Sequence, residues 1–483
     1  MAFSEVFRLH GRLRGRRTAL RQGDRRIDFR SLDRAIDGLC HALRALGVAR
    51  GDITGVALKD SPEHMIALLA LARVGAIILP MDWRWTEPEK LAVAERYAAR
   101  HVLAEELPAA SAPGAWHLPS EGWCAESDRP YLDPAVGDES PLLLSLSSGT
   151  TGLPKGPCVT HRQFENRFMA YWLNLTMNAH DRFVLATPLY HGGGRGFALG
   201  TVFAGGTVSL FPPPYSPEEL AAHVAEVRAT SMFLVPTILR RLLDAGLPAP
   251  AFPTLRKLIS SGSMLYRDER LAVRERLTPQ LYEIYSSTEG GACAIMGPED
   301  MDAAPDSVGR PAFRVDVEVV DEQHRPLPAG EVGRLRYRSP ASPREYFIGD
   351  GSDAFRDGWF YPGDLACLDD DGFVTLHGRV KDMIIRGGVN IFPGDVEKVL
   401  IEHPAVSDAA VVGAPSRELG EELVAFVVSP QGVAREALIA HCEARLARYK
   451  VPRRLVFLPE LPRNSSGKVV RADLVKLAEG AAA

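Results

Sequence analysis

Leu144-Ser145-Leu146-Ser147-Ser148-Gly149-Thr150-Thr151-Gly152-Leu153-Pro154-Lys155-Gly156 gathers hydroxyls, glycines and one lysine into a short segment. Glycines let backbone N–H groups approach an anion closely and adopt positive φ. Serine and threonine hydroxyls add donors, and Lys155 adds a positive charge. The preceding Pro141 to Leu146 is short and apolar and reads as a buried strand. A strand leading into such a loop suits a polyphosphate, so a nucleotide is the expected ligand. The spacing is not G-x-x-x-x-G-K-[ST], because Lys155 precedes a glycine. A flexible surface loop is the competing reading, but plain Gly/Ser linkers seldom end in Pro-Lys-Gly.

With 483 residues the chain exceeds the size at which one core stops growing, so two or more domains are expected. Hydrophobic content of 46% and charged content of 24% fit an ordinary globular protein rather than a disordered one. A net charge of -5 gives no sign of a nucleic-acid partner. The six cysteines (Cys40, Cys124, Cys158, Cys293, Cys367, Cys442) are scattered, with no CxxC pair. That pattern predicts a reducing, cytoplasmic setting and no zinc site. No apolar run reaches transmembrane length; the best, Met65 to Met81, is broken by Arg73 and contains Gly75. The arginine-rich start (Arg8, Arg12, Arg14, Arg16, Arg17, Arg21) is expected to be an exposed helix and loop, with a transit peptide as the alternative.

Working outward, Ser31 is the expected N-cap of a helix carrying Leu32, Ile36, Leu39, Leu43 and Leu46 at helical spacing, closed by Gly47. A strand at Val56 to Leu58, a helix from Pro62 to Val74 and a strand from Ala76 to Leu79 follow. The alternation recurs as strand 181–186, helix 217–229, strand 232–235 and strand 257–260. It predicts α/β layers with parallel pairing. Beyond Pro311 the pattern changes to antiparallel-type strands at 315–320 and 333–337, ending at 373–378, which suggests a β-barrel-like subdomain. The last hundred or so residues read as strand, helix 393–402, strands 409–412 and 423–428, and helix 435–449. The expected fold class is α/β, with a large N-terminal domain over 1–380 and a small, mobile α+β domain over 381–483.

Further marked segments lie far apart: Pro188-Leu189-Tyr190-His191-Gly192-Gly193-Gly194, Tyr285-Ser286-Ser287-Thr288-Glu289-Gly290, Gly358-Trp359-Phe360-Tyr361-Pro362-Gly363-Asp364, Gly378-Arg379-Val380-Lys381-Asp382 and Arg463-Asn464-Ser465-Ser466-Gly467-Lys468. With the opening loop, in this order, they resemble the adenylate-forming (AMP-binding) superfamily, in its acyl-CoA synthetase branch. The resemblance covers nearly the whole chain, and six ordered motifs are far more specific than one.

The resemblance implies a two-step ligation. A carboxylate attacks the α-phosphate of ATP, giving an acyl-adenylate and pyrophosphate, and the thiol of CoA then displaces AMP. Ser147, Ser148, Gly149, Thr150, Thr151, Gly152 and Lys155 would grip the β- and γ-phosphates. Glu289 would hold Mg²⁺, Thr288 would contact the α-phosphate, and Tyr285 would stack on adenine, with Ser286 and Ser287 also binding ATP. Ser261-Gly262-Ser263 would line the adenine edge. Asp364 would accept from both ribose hydroxyls, supported by Arg379. In isolation Asp364 would read as a turn residue and Lys468 as an exposed lysine; the ordered set makes Lys468 the catalytic ammonium between carboxylate and α-phosphate. His191 would orient the carboxylate. Lys381 would be the hinge, and Gly387 and Gly388 would line the pantetheine tunnel, where a side chain would block passage.

Three departures stand out. Ser286 occupies a usual glycine position, Asp395 a usual glutamate position, and Asp82-Trp83-Arg84-Trp85 replaces an Asn-Pro pattern. The acyl pocket is expected around His191, Gly192, Gly193, Arg195, Gly196 and Gly290. Its many glycines and few charges suggest room for an aromatic or medium-to-long aliphatic acid. Arg195 is the exception: pointing inward it would clamp a second carboxylate. The alternatives are a free-standing enzyme loading a carrier-protein thiol and a luciferase-like oxygenase. The chain ends soon after Lys468, so no fused carrier is expected; a homodimer is left open.

Overall fold

The computed structural model describes residues 3–109, 111–146, 156–349, 351, 353–387, 389–416, 419–463 and 468–480. Packing divides the chain into two compact units, Met1–Asp316 with Tyr337–Phe360, and Val317–Arg336 with Tyr361–Ala483.

In the first unit, among the described residues, nine strands form one sheet in the order Arg310–Pro311, Gly291–Met296, Leu281–Ser287, Lys257–Ser260, Ser231–Leu234, Arg182–Leu185, Thr207–Leu210, Thr18–Gln22, Arg25–Asp28. Its middle is parallel and its two ends antiparallel. A second sheet runs Ala115–His117, His101–Ala104, Ile53–Ala57, Ile77–Pro80, Pro141–Leu144, Cys158–Thr160. Pro141–Leu144, the strand expected before the hydroxyl-rich loop, sits beside Ile77–Pro80 with Leu143 opposite Ile78.

The helix Pro62–Val74 has the expected bounds. Ser61 Oγ accepts from the His64 N–H at 3.2 Å, Pro62 starts the first turn, and Gly75 closes it at φ +77°. All its residues except Glu63 are buried, as expected of a helix that is apolar all round. Arg73, which broke the apolar run, is buried against Asp33 and Asp37 at 2.7 Å each. Among the described residues no helix is long and apolar enough to cross a membrane. The basic start is helical over Glu5–Leu13.

Three boundaries differ from expectation. Asp28, not Ser31, caps the helix Phe29–Ala45, its carboxylate accepting from the Ser31 N–H at 2.8 Å. The helix Pro217–Glu226 stops short of Ala229 because Arg228 takes a left-handed φ of +49°. The helix Arg435–Glu443 ends early, and Ala447 is extended before a single turn at Arg448–Lys450.

In the second unit Asp364–Leu368 pairs antiparallel with Val374–Arg379, and Gly333 lies opposite Ala366. A further sheet runs Val389–Ile391, Ile384–Arg386, Gly420–Val428, Asp408–Ser416, with Arg454–Phe457 parallel to Gly420–Val428. The helices Pro393–Ile401 and Arg435–Glu443 bury Val396, Leu400, Leu438 and Cys442 with Val411 and Ala425. The helix Arg471–Gly480 buries Leu474 and Ala478 with Val412 and Phe426. Alternating strand residues thus feed two small cores, one per sheet face, which is the expected α+β arrangement.

Candidate active site

The strand Leu281–Ser287 turns tightly into Gly291–Met296, and the Thr288-Glu289-Gly290 segment forms the turn. Ser287 Oγ accepts from the Gly290 N–H at 2.7 Å and meets Tyr337 Oη at 2.8 Å. A Cβ on Gly290 would lie 2.3 Å from Tyr337 Oη, so the turn has room only for glycine. From the root of the hydroxyl-rich loop, Ser145 Oγ donates to the Thr288 carbonyl at 2.8 Å. Arg167, from the helix His161–Asn174, donates to the Glu289 carbonyl at 2.9 Å and the Thr288 carbonyl at 3.3 Å. The turn bearing Thr288 and Glu289 is therefore tied to the strand that feeds the loop. Burial lowers the Arg167 guanidinium, while the Tyr171, Tyr337 and Glu289 groups favour its charge.

Ser261 Oγ donates to the Ile284 carbonyl at 2.6 Å and lies 3.1 Å from Ser286 Oγ. The hydroxyl that departs from the family pattern thus meets the Ser261-Gly262-Ser263 segment. Gly262, at φ +105°, needs its glycine. Tyr285 and Glu289 are half-buried and Ser286 is exposed. Among the described residues no group of three or more His, Cys, Asp or Glu could hold a metal. A single carboxylate such as Glu289, sharing the ion with phosphate oxygens, suits Mg²⁺, which favours few protein ligands.

His191 precedes the helix Gly192–Phe203. Burial pushes its imidazole down to about 4; Asp82 opposes this while Arg195 and Arg84 reinforce it. At neutral pH it is uncharged and able to donate or accept a hydrogen bond. The adjoining glycines divide by role. A Cβ on Gly193 would strike the Phe233 ring at 2.4 Å, and one on Gly194 the Thr187 carbonyl at 2.2 Å. On Gly192 and Gly196, one helical turn apart, it would meet nothing within 4 Å. The open face therefore belongs to Gly192 and Gly196, whereas the neighbouring stripe of Gly193 and Phe197 is packed: Phe233 meets Gly193, and Tyr171 and Phe233 stack on Phe197 at 4.5 and 5.1 Å. Arg195 is buried, and its Nη1 donates to the Leu189 and Tyr190 carbonyls at 2.9 Å each. Burial and the nearby Arg167 charge lower it to about 10, so it stays protonated at neutral pH.

In the second unit, Arg379 Nε pairs with Asp364 Oδ1 at 2.8 Å, and Arg379 Nη1 donates to the Pro362 carbonyl at 3.1 Å. Lys381 lies in the single turn Val380–Asp382. Gly387 sits at φ +58°, its N–H donating to the Leu419 carbonyl at 2.7 Å. Asp395, at the usual glutamate position, receives Lys450 Nζ at 2.7 Å. Lys468 is exposed, beside the bridge between Arg463 and Val469. Ser147, Ser148, Gly149, Thr150, Thr151, Gly152, Lys155 and Gly388 lie outside the described residues. Sequence reasoning missed Ser145's carbonyl contact, Arg167 and Tyr337. None carries a motif, since each acts on backbone or hydroxyl groups remote in the chain.

Residues 7–347 match the AMP-binding enzyme family, and residues 395–468 match the AMP-binding enzyme C-terminal domain. The chain is 30% identical to the indoleacetate–CoA ligase of Aromatoleum aromaticum, over 99% of this chain and 98% of that one. It is 31% identical to the fatty acid–[acyl-carrier-protein] ligase ScoC of Streptomyces coeruleorubidus, over 93% and 91%. Among solved structures it resembles the o-succinylbenzoate CoA synthetase of Bacillus subtilis bound to its acyl-adenylate, at 26% identity and a TM-score of 0.87, over 97% of each chain. That enzyme is also known with ATP and magnesium bound. The chain belongs to the AMP-binding enzyme family. Its chemistry is AMP-forming acid–thiol ligation, with ATP, Mg²⁺ and CoA as the reactants and metal it uses.

Proposed function

We propose that this ligase activates an aromatic or medium-to-long aliphatic carboxylic acid and transfers it to free CoA in the cytoplasm. The observation that carries the choice of acid is the open, uncharged face of Gly192 and Gly196 beside His191, on a helix whose neighbouring stripe packs aromatic rings. Arg195 is engaged with main-chain carbonyls, which argues against a second carboxylate there.

In the first step the acid's carboxylate oxygen bonds to the α-phosphorus, and the bond to the β-phosphate oxygen breaks, releasing pyrophosphate. Thr288 contacts the α-phosphate, and Lys468 supplies positive charge where the negative charge builds. Ser147 to Lys155 hold the departing pyrophosphate. Glu289 would hold Mg²⁺, which neutralises phosphate charge when bound. Tyr285, Ser286, Ser287 and Ser261 to Ser263 hold the adenosine, and Asp364 with Arg379 the ribose. Neutral His191 orients the carboxylate. In the second step the small domain, 381–483, pivots at Lys381, and the CoA thiol displaces AMP past Gly387 and Gly388.

A pyrophosphate-release screen with Mg-ATP and CoA tests the substrate class, using indoleacetate, benzoate, cinnamate, octanoate, palmitate, malonate and succinate. Fastest release with the dicarboxylates would refute the apolar pocket. Release that needs a phosphopantetheinylated carrier protein instead of CoA would establish the carrier-loading alternative. Gly388→Leu is expected to leave acid-dependent pyrophosphate exchange intact and to stop thioester formation, because the side chain fills the tunnel. A normal thioester rate would place the tunnel elsewhere.

A further inference from the structure

The segment Asp82-Trp83-Arg84, which departs from the family pattern, converges on the residue before His191. Arg84 Nε and Nη2 donate to Asp82 Oδ1 and Oδ2 at 3.1 and 2.9 Å, and the Arg84 N–H donates to Asp82 Oδ1 at 2.9 Å. The same Nη2 donates to Tyr190 Oη, and the guanidinium lies 5.3 Å from the Tyr190 ring centroid. The Tyr190 ring in turn lies 4.1 Å from the His191 ring.

The main chain here is fixed independently. Asp60 Oδ1 accepts from the Leu189 N–H at 2.8 Å, and Arg195 holds the next two carbonyls. The His191 imidazole, by contrast, makes no side-chain cap bond to the helix it precedes. The Tyr190 ring is its aromatic neighbour, and the Tyr190 hydroxyl is held by both Arg84 and Asp82. Asp60 and Arg195 are core groups, whereas 53% of the Arg84 side chain is exposed. Its partner Asp82 is buried, so the pair lies at the surface on the Arg84 side only, and Arg84 is the member that can be changed with little effect on stability.

We propose that Asp82 and Arg84 are positioning residues for the adenylation step: they lock the Tyr190 ring, and that ring sets the direction in which His191 presents its imidazole to the carboxylate. This rests on the assignment of His191 given above. The lock acts on the acid and not on ATP. It also acts only through His191.

The test is initial-rate pyrophosphate exchange with indoleacetate or octanoate, whichever is faster, varying acid and ATP separately. Arg84→Met is expected to raise the KM for the acid about tenfold, less than the roughly 10²-fold that a 1 Å misplacement costs, because Asp82 still reaches the Tyr190 hydroxyl. The KM for ATP and the melting temperature should stay unchanged. Arg84→Lys, which keeps a donor for Tyr190 Oη, should recover most of the loss. In a His191→Ala background Arg84→Met should cost less than about twofold, since contacting groups that act together are not additive. An unchanged acid KM in Arg84→Met, or the full tenfold loss in the His191→Ala background, overturns the proposal while leaving His191's role standing. A His191→Ala enzyme with a normal acid KM overturns both.

Discussion

Lys468→Ala is expected to slow acid-dependent pyrophosphate exchange by about 10²–10³-fold, the usual cost of removing one preorganised charge from a transition state. Thioester formation from a supplied acyl-adenylate and CoA should fall by less than about threefold. The asymmetry follows from where charge develops. In the first step an anionic carboxylate approaches an anionic α-phosphate, and a compact ammonium on a flexible stem can sit between them. In the second step AMP leaves from an acyl carbon, and the adenylate has already been made. The lysine is exposed in its own unit, so its replacement should not disturb folding. Equal losses in both half-reactions would refute the assignment. Lys468→Arg separates charge from shape: its broader, planar head should recover only part of the rate.

The motifs were legible because their chemistry fixes residue types. Phosphate needs backbone N–H groups and hydroxyls, ribose needs a carboxylate, and a glycine is needed wherever a Cβ would collide. The helix Pro62–Val74 was legible because Ser61, Pro62 and Gly75 are local signals at each end. The framework of the site was not. Tyr337 reaches Ser287 across 50 residues, and Arg167 reaches Thr288 and Glu289 across 121 and 122. No periodicity within a helix distinguishes an arginine that holds a remote carbonyl from one that faces water. The helix cap was misassigned for a smaller reason: Asp28 and Ser31 are both good caps, and only the observed bond from the Ser31 N–H to Asp28 decides between them. Asp82-Trp83-Arg84 had no reading in sequence because its partner, Tyr190, is 106 residues from Arg84. Gly193, expected at the pocket, and its neighbour Gly194 are also glycines for packing, since a Cβ there would meet Phe233 and Thr187. Only Gly192 and Gly196 of that run face open space.

Arg167→Met should lower adenylation about 100-fold and cost only about 1–3 kcal/mol of stability, the range for an unmade buried hydrogen bond. The guanidinium is buried, and among the described residues its Nε has no hydrogen-bond partner. Holding a charge there carries a desolvation cost that an apolar side chain of similar length recovers, so the net stability loss is small. What the substitution removes is the single Nη2 group that donates to both the Thr288 and Glu289 carbonyls. Ser145 Oγ still donates to the Thr288 carbonyl, but the Glu289 carbonyl loses this donor and the turn gains freedom. A displacement of about 1 Å in a catalytic group is enough for a 100-fold loss. Because Glu289 is the group assigned to Mg²⁺, the defect should show as a raised KM for Mg-ATP with the acid KM nearly unchanged. That is the opposite partition from Arg84→Met. Arg167→Lys should rescue only in part, since one ammonium can take the place of Nη2 at the two carbonyls but cannot also reach Ser145 Oγ, which Nη1 does at 3.4 Å. Thermal unfolding run beside ATP-dependent exchange checks the prediction. If exchange falls only in proportion to the fraction unfolded, Arg167 is a packing residue and the turn is held by the bonds from Ser145, Ser287 and Ser342.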